Sequence, residues 1–157
     1  MFVVADKSLR LFAGLFLISV MLTFIQKYLS PLYVPVIWTI LIIIAMCAPG
    51  SYIPNESRFA LPNFDKVVHV GLFGGFVFLW CLFLTKRAVS FRQLLVGFFC
   101  FYMLSNGFGV AMEYVQKYWI PGRDYDLGDI IADMFGAGFG YGLSNFLLLP
   151  GAKDRND

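Results

Sequence analysis

The stretch DKVVHVGLFGGFVFLWCLFL, residues 65–84, decides the fold. Asp65, Lys66 and His69 stand at its start, and Val70 to Leu84 carries no charge at all. A helix needs about 20 mainly apolar residues to cross a bilayer. Residues 66–84 therefore read as a membrane span with a polar entrance. The pattern recurs in alternating direction. Residues 91–113 are mainly apolar and close on Glu113, with Gln116 just beyond. Residues 127–149 are preceded by Arg123 and carry Asp129 and Asp133 in their first turns. When each run crosses once, all three polar ends emerge at the same face. Polar groups at membrane depth are costly, so they are usually paired and often functional. One shared site at one membrane face is the simplest reading.

Composition agrees. The chain has 157 residues, 59% hydrophobic and 14% charged, with mean hydropathy +0.74. Soluble domains carry about 25% charge. Residues 1–157 thus read as a single transmembrane domain with no separate soluble unit. The net charge of +2 is small and scattered, which argues against nucleic acid as a partner. Cys47, Cys81 and Cys100 lie inside apolar runs without metal or redox spacing and read as packing residues. No cofactor is implied. Lys7 and Arg10 precede an apolar stretch as in a signal sequence, but no small-residue cleavage site follows, so retention is expected.

Two further runs precede the first. Residues 9–29 are long enough to span, trimmed by Gln26 and Lys27. Residues 34–48 are strongly apolar but short, bounded by Pro31, Pro35 and Pro49. Loop signals fill 49–64, with Pro49-Gly50, Pro54-Asn55 and Pro62-Asn63. The expected fold is an all-α, polytopic transmembrane helix bundle of four or five spans. The helix at 9–29 is either an accessory span or an interfacial segment. Lys86, Arg87 and Arg92 form a short basic loop, the cytoplasmic signature. The tail with Lys153 and Arg155 falls on the same side, and the polar clusters face away from it. Five spans would leave Lys7 and Arg10 outside. Four spans with an interfacial first helix remove that conflict.

The candidate ligand-binding residues are Asp65, Lys66, His69, Asn106, Glu113, Gln116, Arg123, Asp129 and Asp133. Asp65 and His69 lie one turn apart on a helix face, and Asp65 also suits a helix start. Glu113 and Gln116 share a face, with Asn106 two turns deeper. Pro121-Gly122 is a turn that presents Arg123, whose planar fork suits carboxylate or phosphate. Asp129 and Asp133 are one turn apart and can both point inward. Opposed charges nearly balance if Lys66 and Arg123 face Glu113 and Asp129, with Asp133 at the edge. A purely structural salt-bridge network is the alternative. Gly136, Gly138, Gly140 and Gly142 make two small-x-x-x-small patterns, and Gly71 with Gly75 another, which predicts tight helix seams. Gly138 and Gly140 are both expected in such a seam. Ser105 is a weak nucleophile candidate without an evident base.

Asp65-Lys66-x-x-His69, Glu113-x-x-Gln116, Pro121-Gly122-Arg123 with Asp129, and a glycine-rich last helix together resemble the VanZ-like membrane family. That family is named for a protein linked to teicoplanin resistance. The resemblance covers about Pro49 to Gly142. The family pattern usually has asparagine where this chain has Asp133. The resemblance implies a small multi-pass protein of the bacterial inner membrane and cell envelope, with membrane lipids and lipid-linked envelope precursors as partners.

Three functions stay open on these residues. The first is binding of a polar or anionic headgroup (a lipid, a lipid-linked glycan precursor or a glycopeptide) in an outward-facing cluster, with a link to glycopeptide resistance or to exopolysaccharide and cell-wall assembly. The second is an intramembrane metal-assisted hydrolase or transferase, with His69, Glu113, Asp129 and Asp133 as ligands. The third is a structural partner in an envelope complex.

Overall fold

A computed structural model describes residues 14, 16–17, 20–49, 63–87 and 89–150. Every element among them is helical: α1 (Val20–Leu29), then α2 (Tyr33–Met46), α3 (Phe64–Leu84), α4 (Phe91–Trp119) and α5 (Leu127–Leu148). Lys7, Arg10, the loop at 50–62 and the tail with Gly151, Lys153 and Arg155 lie outside the described residues.

Local chemistry sets the boundaries. Pro31 separates α1 from α2, and the two helices bend by 73° at that break. Pro35 falls in the first turn of α2, where no intrahelical donor is needed. Ser90 opens α4 with a capping box: Gln93 N donates to its hydroxyl, and Ser90 N donates to the Gln93 side chain at 2.7 Å. At the far end of α4, Pro121 and Gly122 (φ 72°) fit a tight turn closed by Arg123 N donating to Ile120 O at 3.3 Å. No breaker precedes Pro121, so α4 runs past Glu113 to Trp119. Gln116 and Lys117 are therefore helical, about one turn beyond the expected end.

Two helices, α3 and α4, are long and apolar enough to cross a membrane, and a third crossing follows if the bent α1–α2 pair is one span. With 14 residues α2 rises only about 21 Å. The last apolar run is a 22-residue helix as expected, but Asp129, Asp133 and Asn145 make it too polar to qualify on composition. The placement of those polar groups explains this. Asp129, Asp133 and Ser144 are buried, while Phe135, Phe139 and Phe146 are exposed by 63–77%. Exposed apolar surface on that scale is foreign to a soluble monomer and fits lipid as the solvent.

The most extensive interface joins α3 and α5, with α4 packed on both. Glycines allow it. A Cβ on Gly136 would land on the Val70 carbonyl, and one on Gly140 on the Gly74 carbonyl. Gly138, Gly142 and Gly71 have open space around them. Only one of the two interleaved patterns on α5 is thus a seam, and Gly138 is not in it. Gly75 lies under Trp38, whose indole N–H donates to Leu72 O at 2.9 Å and ties α2 to α3. Phe73, Val77, Leu82, Leu94, Phe98 and Ile42 fill the centre.

Candidate functional site

The start of α3, the end of α4 and the start of α5 meet at one end of the bundle. Lys66 is the hub. Its ammonium donates to Asp126 Oδ2 at 2.7 Å and to Asp129 Oδ1 at 2.9 Å, with Asp65 Oδ2 at 3.5 Å. Gly128 makes room for this arm, since a Cβ there would stand 2.7 Å from Lys66 Cε. Asp126 also caps α5 by accepting from Gly128 N. Asp126 and Asp129 both sit at the helix N-terminus, where the backbone dipole favours negative charge.

His69 lies one turn deeper on α3. Its Nδ1 is 2.8 Å from Asp133 Oδ1, and its Nε2 is 3.8 Å from Asp129 Oδ2. The ring thus bridges the two inward aspartates of α5. The Asp133 carboxylate fills a notch in α4 left by Gly109, where a Cβ would stand 2.7 Å from Asp133 Oδ2 and 3.1 Å from Asp133 Cβ. Gly109→Ala is expected to displace Asp133 and break its bond to His69. The check is the histidine ring resonance by NMR, which should move in Gly109→Ala and stay put in Gly107→Ala, where a Cβ has open space.

Glu113 is fully buried. Its Oε2 accepts from the backbone N of Asp126 at 2.9 Å, which clamps the α4–α5 connection. Gln116 is 1% exposed and donates to Met46 O at 2.9 Å, bringing the end of α2 to the same place.

Lys66, His69, Glu113, Asp129 and Asp133 therefore converge, with Gln116 and Asp65 alongside. Two expectations are corrected. Asp133 is not at the edge: it is 1% exposed and the main partner of the histidine. Arg123 forms no ion pair among the described residues. Its Nε is buried without a partner, and Glu113 takes a backbone N–H in place of a cation. Asn106 hydrogen bonds back to Tyr102 O on its own helix. Ser105 is fully buried, with no partner for its hydroxyl among the described residues. Asp126 and Gly109 belong to the site, although neither was singled out as a site residue. A glycine five turns into an apolar run, one turn before a buried acid, is the signal that could have found Gly109.

The balance of charge is not even. Asp65, Glu113, Asp126, Asp129 and Asp133 surround Lys66 and His69. Buried acceptor atoms are left over: Glu113 Oε1, Asp133 Oδ2, Gln116 Oε1 and Asp65 Oδ1 have no hydrogen-bond partner among the described residues. Asp65, Asp126 and Asp129 bring carboxylate oxygens within 4.8 Å of one another, close enough for a metal ion. The Lys66 ammonium already contacts all three and supplies the positive charge there. His69 is not part of that trio.

Asp126 stands outside the helices, at the N-cap of α5. The hydrogen bond from Lys66, and next the Gly128 N–H, hold its carboxyl below the usual aspartate range. A depressed carboxyl stabilises the fold above its unfolded value, about 3.9. That contribution is lost as pH falls through the lower folded value. Acid unfolding below about pH 4 should therefore be shallower in Asp126→Asn than in the parent when melting is followed against pH.

No family model, curated protein or solved structure matches this chain.

Proposed function

We propose that this is a small VanZ-like protein of the bacterial cell membrane that binds a polar headgroup at its acidic, outward-facing end. Four spans fit best, with α2 to α5 crossing and α1 lying in the interface. The 73° bend supports this, as do the exposed Phe24 and Tyr28, which flank Gln26 and its contact with Lys86. An interfacial helix buries such an apolar face among headgroups. Polar α5 can cross because α3 and α4 cover its aspartates. On a background without the native cysteines, Asp65→Cys and Arg123→Cys should both label from outside, and Arg87→Cys from inside. Labelling of the first two from opposite faces would remove the shared site.

One observation carries the functional reading: buried acceptors without donors among the described residues, beside a lysine that is already saturated. An unmet buried acceptor costs about 1–3 kcal/mol, and a ligand with N–H or O–H groups relieves it. The favoured ligand is thus an amine- or hydroxyl-bearing headgroup, such as an aminophospholipid or a lipid-linked glycan. Lys66 is not the anion holder. Arg123, with a buried free donor, is placed to take an anionic oxygen of the same ligand.

The paired Lys66 network favours a second reading, in which the cluster only holds the helices together. Thermal unfolding in nanodiscs separates the two. Phosphatidylethanolamine, which has N–H donors, should stabilise the protein over phosphatidylcholine, which has none, and Glu113→Gln should erase the difference. Equal melting in both lipids would leave only the structural role.

A further inference from the structure

Charge among the described residues is divided between the two ends of the bundle. Every described acid (Asp65, Glu113, Asp124, Asp126, Asp129, Asp133) belongs to the site end or the turn beside it. The opposite end holds Lys27, Lys86, Arg87 and Arg92 and no described acid. Lys86 donates to Gln26 at 3.2 Å, which brings α1 and Lys27 to this end. The Arg87 guanidinium lies over the Phe83 ring, 4.4 Å from its centre. Arg92 is exposed, forms no ion pair among the described residues, and lines an open groove of about 380 Å³.

The other walls of the groove are Leu84, Val89, Gln93, Val96 and Gly97. The Gln93 side-chain oxygen is engaged by Ser90 N, so among the described lining residues Arg92 alone is charged. The groove runs from this cationic mouth about one turn down α4. There the Leu84 side chain rests on Gly97, where a Cβ would stand 2.3 Å from Leu84 Cδ2. An apolar groove at membrane depth takes a hydrocarbon chain. A cation at its mouth, with no acid among the described residues nearby, selects a negative headgroup.

We infer that this groove holds one anionic phospholipid, with its phosphate at Arg92 and an acyl chain against Val89, Val96 and Gly97. Lys86 and Arg87 in the same loop strengthen the field at the headgroup. This site is separate from the acidic cluster, and it asks for the opposite headgroup chemistry.

Native mass spectrometry of the full chain, released from nanodiscs of equal phosphatidylmethanol (anionic, with no O–H or N–H donor) and phosphatidylcholine, tests the inference. The parent should retain phosphatidylmethanol in preference. Arg92→Gln should lower that preference about fivefold, the factor for one cation near a charged membrane surface. Arg92 is exposed, so the variant keeps its fold. Gly97→Leu should release the lipid by pushing Leu84 into the groove, and Phe139→Leu, at an exposed position on α5, should change nothing. Equal retention of both lipids, or an unchanged preference in Arg92→Gln, would overturn the inference. So would loss of the preference on adding inorganic phosphate while Gly97→Leu retains lipid, because the site would then recognise a free anion.

Discussion

Gly140→Leu and Gly136→Leu should abolish the folded bundle, while Gly138→Leu and Gly142→Leu leave it intact. All four glycines lie on α5 at spacings of two, so the pairs face opposite sides of the helix. Gly136 and Gly140 face α3, where added Cβ atoms would strike the Val70 and Gly74 carbonyls. Those are backbone atoms, so relief requires the helices to separate. Separation opens the α3–α5 interface and carries Asp129 and Asp133 away from Lys66 and His69. Overpacking a core usually costs about 1–3 kcal/mol. A leucine against backbone should exceed that range, because no side chain can yield. Gly138 and Gly142 face open space. Yield of monodisperse protein and melting temperature in detergent check this. Equal loss in all four variants would mean that both faces of α5 are packed.

The second large effect is expected at Lys66. Lys66→Met leaves Asp126, Asp129 and Asp65 clustered without their shared cation. Removing one partner of a buried ion pair costs about 3–5 kcal/mol. The Lys66 side chain is 30% exposed, so the loss should fall near the low end of that range. Asp129→Asn alone removes the most buried of the three carboxylates on Lys66 and should also destabilise. The double variant should cost less than the sum, with a coupling of about 0.5–3 kcal/mol. Chemical unfolding in micelles measures all three. Additive losses would show that the two residues do not share a contact.

Much of the site could be read from position alone. Lys66, His69, Glu113 and Asp129 sit near the ends of apolar runs of alternating direction, and the membrane forces such ends together. The same logic fails for Arg123, which lies in the turn beside the site but forms no ion pair among the described residues, while Glu113 takes a backbone N–H. It also fails for charge balance. Sequence distance does not tell that Lys66 reaches across the first turn of α5 to Asp126, or that Asp126 N satisfies Glu113. Depth misled for Asp133, because the Gly109 notch makes room for it inside the bundle. The span count is hardest to read, since proline bends α1 away from α2 and the polar residues of α5 turn inward. A hydropathy pattern cannot tell a polar residue facing a partner from one facing lipid.

The central claim is that Glu113 and Asp133 keep acceptor oxygens free for a donor-bearing headgroup. Infrared difference spectroscopy of the carboxyl groups tests it most directly. Short-chain phosphatidylethanolamine, added to protein in a non-hydrogen-bonding detergent, should shift two carboxyl bands. Glu113→Gln should remove one and Asp133→Asn the other, and phosphatidylcholine should shift neither. Identical spectra with both lipids, or bands that persist in both variants, would contradict a ligand at these carboxyls.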